Sequence, residues 1–224
     1  MHYVIQRTAV KPALRGAWDD PIWASAPILA VDQFHSRGSG HHPVTRAKLL
    51  YDAEGLYVIF DVQDRYVQCV NTQPQSSVCQ DSCVEFFVQP RPPGAYFNFE
   101  INCGGTPLVH YMEDWQRIPG RGFKKFTPLP ADLLDRLRIY HSLPQRIQPE
   151  RPEPVHWRIE YVIPFKLFEH YLGPLGNPAG QVWRANLYKC ADKTSHPHWA
   201  SWSPITGELN FHQPQYFGTL EFAA

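Results

Sequence analysis

Two glutamates set in alternating segments carry the first chemical signal. Between Ser82 and Val88, Cys83, Glu85 and Phe87 alternate with Val84, Phe86 and Val88. Between Tyr96 and Asn102, Asn98, Glu100 and Asn102 alternate with Phe97, Phe99 and Ile101. Successive strand residues point to opposite faces, so one face is apolar and the other holds carboxylates and amides. If the two strands pair with Glu85 opposite Glu100, their Cβ atoms lie roughly 4.5–5.5 Å apart, and two like charges then need compensation. A cation such as Arg184, a bound metal, a shared proton or ligand hydroxyls would each supply it. Arg184, Asn186 and Tyr188 can join the same face from Gln181 to Cys190, and Arg158 and Glu160 alternate similarly between Val155 and Ile163. Carboxylates, amides and a guanidinium meet adjacent sugar hydroxyls in fixed directions. An ordinary solvated sheet face accounts for the same alternation.

The run His196-Pro197-His198-Trp199-Ala200-Ser201-Trp202 is the second signal. Flat indoles match the apolar C–H faces of pyranose rings and offer an N–H at the edge. Trp199 and Trp202 are therefore stacking candidates, with Trp115 a weaker one; the competing account makes them core at the end of a sandwich. His196, His198 and His212 have types that bind zinc, but no fourth ligand can be placed, and polar loop histidines explain them better. Arg121, Lys124 and Lys125 read as a solvated loop, with phosphate or acidic-sugar contact the alternative. No G-x-S-x-G elbow, G-x-G-x-x-G or G-x-x-x-x-G-K is present. The enzymatic reading that survives is Glu85 with Glu100, near the roughly 5–5.5 Å carboxyl separation of a retaining glycosidase.

The elements that must position these residues are short. Val44–Tyr51 and Leu56–Val62 flank the turn Asp52-Ala53-Glu54-Gly55 and predict a hairpin. Ser82–Val88 and Tyr96–Asn102 predict a second hairpin, followed by a strand over Pro107–Met112. Residues 113–131 read as a loop, and Leu133–Leu143 is open between helix and strand. Gln145–Pro154 reads as a connector. Val155–Ile163, Gln181–Cys190 and Phe217–Phe222 predict strands, and 191–215 a long loop. Pro164 opens a short helix over Phe165–Leu172, which Gly173 and Pro174 stop. Phe165, Phe168 and Leu172 are its expected core side. Many short strands with one or two short helices predict an all-β antiparallel sandwich of the jelly-roll kind. Residues 1–224 are read as one domain, with Phe86, Phe97, Phe99 and Ile101 buried between its sheets.

Bulk properties narrow the function. The chain has 224 residues, 43% hydrophobic and 19% charged, with a formal net charge of zero. A neutral chain lacks the basic footprint that nucleic acid requires and any polybasic handle for a membrane surface. No stretch approaches the roughly 18 apolar residues of a membrane span. Twenty-two prolines disfavour long helices. Five cysteines, an odd number, leave at least one free thiol, and the spacing of Cys79 and Cys83 matches no common zinc pattern. Reduced thiols and the lack of a signal peptide point to the cytoplasm, or to secretion if a leader has been removed.

Several segments resemble the family 9 carbohydrate-binding modules and their DOMON-like sandwich relatives. They are DSCVEFFV (81–88), YFNFEINCGG (96–105), WRIEYVIP (157–164), WRANLYKCAD (183–192), SWSP and NFHQPQYFG. The resemblance implies an antiparallel sandwich that holds sugar chain ends between two Trp faces, with polar sheet residues on the hydroxyls and calcium as a structural ion. Matched by motif, Glu85 and Asn102 carry over. Glu100 stands where sugar-binding members often have Arg, and Cys79 stands near the place of one sandwiching Trp. Trp199 or Trp202 supplies the later Trp, and Asn186 its neighbouring amide.

The combined expectation is a non-catalytic glycan-binding protein whose saccharide site comprises Glu85, Glu100, Asn102, Arg184, Asn186, Trp199 and Trp202. The alternatives are a glycoside-processing enzyme that uses Glu85 and Glu100, and a protein-interaction domain with a Trp-rich end.

Overall fold

The alternation in the Glu85 and Glu100 segments becomes a strand register in the computed structural model, which describes all of residues 1–224. The strands are β1 (His2–Arg7), β2 (Leu29–Ala30), β3 (Gln33–Phe34), β4 (Val44–Tyr51), β5 (Gly55–Asp64), β6 (Val67–Cys69), β7 (Cys83–Gln89) and β8 (Tyr96–Asn102). They continue with β9 (Pro107–Ile118), β10 (Gly122–Pro128), β11 (Arg138–His141), β12 (Ile147–Arg151), β13 (Val155–Pro164), β14 (Val182–Cys190), β15 (Trp199–Ser201) and β16 (Gly218–Phe222). Two short helices, α1 (Ala131–Leu134) and α2 (Phe165–Leu172), complete the set. No helix is long and apolar enough to cross a membrane.

The front layer runs β10-β9-β8-β7-β14-β16, and the back layer runs β4-β5-β13-β11. Neighbours within each layer are antiparallel. The exception is β1, which joins the layers. Its first part pairs parallel with β16 and its last two residues pair parallel with β4. Apolar side chains from both inner faces meet in one cluster of 40 buried residues. Phe86, Phe97, Phe99 and Ile101 are fully buried there, with Val58, Phe60, Ile159 and Tyr161 from the back layer.

Pro164 ends β13 as the extended N-cap of α2, one residue before the first helical position expected for it. Phe165, Leu167 and Phe168 are buried, while Leu172 is only half-buried. Gly173 closes the helix at φ +71°, a conformation that suits glycine.

Several predicted loops are partly strand. Residues 113–131 contain the end of β9 and all of β10, a ribbon tied by Lys125–Glu113 and Lys124–Asp114 ion pairs. Its charged residues face solvent on both sides, so no period of two marks it. The basic run is thus paired across the ribbon at both lysines. Leu133–Leu143 holds the end of α1 and then β11, so both readings apply in turn. The 145–154 connector contains β12, paired with β6, and the 191–215 loop contains β15, paired with β14 and β3.

Candidate functional site

The β7–β8 ladder sets Glu85 directly opposite Glu100. On the other side, β14 sets Tyr188 opposite Glu85 and Cys190 opposite Cys83. All of these side chains lie on the outer face of the front layer, away from the main core. That face is covered in two places. Phe87, Tyr96, Met112, Tyr188 and Phe217 form one small apolar cluster, and Val78, Cys83, Leu108 and Cys190 form another. Phe211 packs against both. Between them lies a pocket of about 230 Å³ lined by Cys79, Glu85, Glu100, Arg117, Cys190, Asp192, Trp199, Leu209, Asn210, Phe211 and His212.

Burial is what sets the electrostatics. Glu85 and Glu100 are 2% and 6% exposed. Desolvation, then the charge of Glu100, holds Glu85 well above the usual carboxylate range. Desolvation pushes Glu100 up to about 7, against the opposing effect of the Asn98 amide. The Asn98 side-chain amide donates to Glu100 at 2.7 Å, and the Cys190 thiol donates to Glu85 at 3.1 Å. The opposed pair is therefore relieved by protons, one of the solutions the sequence leaves open, and it can both donate to and accept from a ligand hydroxyl. Trp199 is half-buried, and its indole N–H donates to Asp192 at 2.7 Å, which fixes the ring as a pocket wall. Burial lowers His212 to about 3, so it is neutral, and it bonds Tyr96 Oη through Nδ1.

The structure brings together three of the seven residues expected at the site: Glu85, Glu100 and Trp199. Trp202 is not an exposed platform. It is 4% exposed and belongs to the main core: β15 folds back antiparallel on β14, and the indole of Trp202, the next residue, packs inward against Gly218. Asn102 lies on the expected face, but its amide donates to Asn71 O and Asp81 while its oxygen accepts from the Thr106 N–H. Asn186 likewise clamps Ser203, donating to its carbonyl and accepting from its N–H. Arg184 donates to the carbonyls of Gln215 and Phe217. These three polar groups secure loops that cover the sheet and do not line the pocket. Arg158 and Glu160 belong to the back layer, where Arg158 pairs with Asp61 and Glu160 accepts from the N–H groups of Arg15 and Gly16.

The three histidines do not converge. His198 bonds the buried Lys189 ammonium, His196 stacks on Tyr66, and His212 sits beneath Phe123. The pocket residues not found from the strands are Arg117, Asp192, Leu209, Asn210, Phe211 and His212. The family-like segments WRANLYKCAD and NFHQPQYFG contain Asp192, Asn210, Phe211 and His212, whereas Arg117 and Leu209 carried no signal.

Three buried carboxylates that could serve calcium, Asp61, Asp64 and Asp81, are already engaged within the protein. Calcium takes 6–8 oxygen ligands. Asp61 is held by Arg46, His156 and Arg158, Asp64 by His41 and Lys189, and Asp81 by the N–H groups of Val70 and Asn71. The one place where three candidate ligand side chains converge has two thiols.

The chain is thus a two-layer β-sandwich with a polar, indole-walled pocket on one outer sheet face. The family model for Carbohydrate-binding family 9 matches residues 22–222, and the chain belongs to that family. No curated protein matches the sequence. Among solved structures, a candidate carbohydrate-binding protein from Bacteroides uniformis ATCC 8492 is 25% identical, with a TM-score of 0.86 over 99% of this chain and 98% of that one. A family 9 module from Caldicellulosiruptor kristjanssonii in complex with cellotriose is 18% identical, with a TM-score of 0.66 over 100% and 94% of the two chains. The same kind of module from that organism in complex with glucose is 17% identical, with a TM-score of 0.60 over 98% and 95%.

Proposed function

We propose that the pocket binds the terminal unit of a saccharide without catalysis. Trp199 stacks on one ring face, and Glu85 and Glu100 hold hydroxyls at the floor. Asp192, Asn210 and Arg117 are placed to meet hydroxyls at the rim. The observation that carries this reading is a pair of buried carboxylates at the base of a pocket walled by a half-exposed indole. A walled pocket of about 230 Å³ suits one ring better than a run of several. The glucose and cellotriose complexes of the family 9 modules make glucose and β-linked glucose oligomers the first ligands to try. A partner-protein surface at the Trp-rich end is disfavoured, because Trp202 is core and Trp199 is half-buried.

Trp199→Ala is the test. Removing a stacked aromatic at a hot spot costs about 2 kcal/mol, roughly a 30-fold loss of affinity. Calorimetry against glucose and cello-oligosaccharides should show weak binding by the wild type and none measurable by the variant, with circular dichroism unchanged. A wild type that binds no saccharide in a broad panel sinks the proposal. Hydrolysis of any panel member, lost in Glu85→Gln, would replace it with the glycosidase reading.

A further inference from the structure

Cys83 and Cys190 face each other across the β7–β14 ladder, and Glu85 follows two residues after Cys83 on the same face. Their ligand atoms lie within 4.8 Å of one another, and all three side chains are buried. Glu85 and Cys190 also line the pocket, so the group is reached from solvent through it.

We propose that Cys83, Cys190 and Glu85 form a three-ligand site for a borderline-soft divalent cation of the zinc class, with its fourth position open to the pocket. Two thiolates and one carboxylate form a donor set that suits zinc and disfavours calcium or magnesium. Zinc–sulfur bonds of about 2.3 Å and zinc–oxygen bonds of about 2.0–2.2 Å place neighbouring ligand atoms a little under 4 Å apart in a tetrahedron. The Cys190 sulfur and a Glu85 carboxyl oxygen start 3.1 Å apart, so that pair opens slightly to admit the metal, and no pair in the group starts more than 4.8 Å apart.

The surroundings also call for a cation. Glu100, Asp192 and Cys79 line the same pocket, and the one Lys or Arg among its lining residues is the exposed Arg117. Burial raises the proton affinity of Glu100, Asp192 and Cys79. On binding, the two thiols and the Glu85 carboxyl each release a proton to solvent, and the metal exchanges bound water for two sulfurs and one oxygen. Affinity therefore rises with pH. This inference concerns the metal alone and does not depend on saccharide binding.

Cobalt(II) and zinc(II), added to chelator-stripped, reduced protein without sugar, provide the test. One cobalt per chain should bind with thiolate-to-metal charge-transfer absorption and the strong visible bands of a tetrahedral centre. Zinc should displace it, and calcium should not. Cys83→Ala and Cys190→Ala should each weaken cobalt binding at least tenfold, and Cys69→Ala should not. If the cysteine variants fail to fold by circular dichroism, Glu85→Gln is read instead and should weaken binding at least tenfold while charge transfer persists at saturation. Absence of charge transfer in the wild type overturns the proposal. So does binding of wild-type strength in folded Cys83→Ala or Cys190→Ala, or in Glu85→Gln.

Discussion

Trp202→Ala is expected to destabilise the protein by about 3–5 kcal/mol, the range for emptying a large aromatic from a packed core. Trp202 is 4% exposed within the 40-residue cluster, and its backbone N–H donates to Leu187 O at 2.9 Å. A Cβ placed on Gly218 would meet the ring edge at 2.7 Å, so glycine there makes room for the indole. Alanine cannot fill that space, and the strands on either side cannot close over it without breaking ladder bonds. Against a net stability of about 5–15 kcal/mol for a typical domain, this loss is large. Urea unfolding monitored by far-ultraviolet circular dichroism is the measurement. A change below about 1 kcal/mol, with saccharide binding lost, would show that Trp202 is the stacking platform after all.

The difference between Trp199 and Trp202 marks where sequence reasoning stops. The two indoles lie three residues apart, and their residue type gave each equal claim to a sugar. What separates them is β15, whose pairing with β14 decides which side each ring takes. That pairing is a long-range event with no local signature. By contrast, the shared face of Glu85 and Glu100 was legible from the period of two, while their direct opposition was a condition that the register of β7 on β8 then met. Asn102 and Asn186 were placed on the right face, yet periodicity cannot tell what covers a face. Here loops cover it, and buried amides are consumed in holding them. β1 was missed for a related reason. Its partners, β16 and β4, are distant in the chain or pair over only two residues, and parallel pairing leaves no turn motif to read. Arg117 sits on a solvent-exposed ribbon whose strands carry polar residues on both faces, so no pattern points to the pocket.

Glu100→Gln is expected to stabilise the protein at alkaline pH and to do little under mild acid. Desolvation raises both floor carboxyls, to about 7 for Glu100 and well above the ordinary range for Glu85. The unfolded chain releases these protons near the ordinary glutamate value, so the folded state binds more protons above it. Stability from this pair is complete below that value and is lost as pH rises through the folded values. A rise from the ordinary value to about 7 corresponds to on the order of 3 kcal/mol for Glu100. Glutamine keeps the shape, removes this titration and also withdraws the charge that raises Glu85. The acid limb has other origins and should not change. Burial lowers His198 and His212 to about 3, so their contribution is lost as pH falls from the ordinary histidine range. Burial of Asp64 is outweighed by Lys189 and His41, which hold it far below the usual range, so its contribution disappears only in stronger acid. Wild type and variant should thus differ by less than about 1 kcal/mol near about pH 5 and separate by up to about 3 kcal/mol near about pH 8 in chelator-containing buffer. Denaturant unfolding across that interval measures the gap. An advantage of the same size at both ends would mean that the Glu100 carboxyl titrates as an ordinary surface acid, and the proton-relieved pair would have to be abandoned.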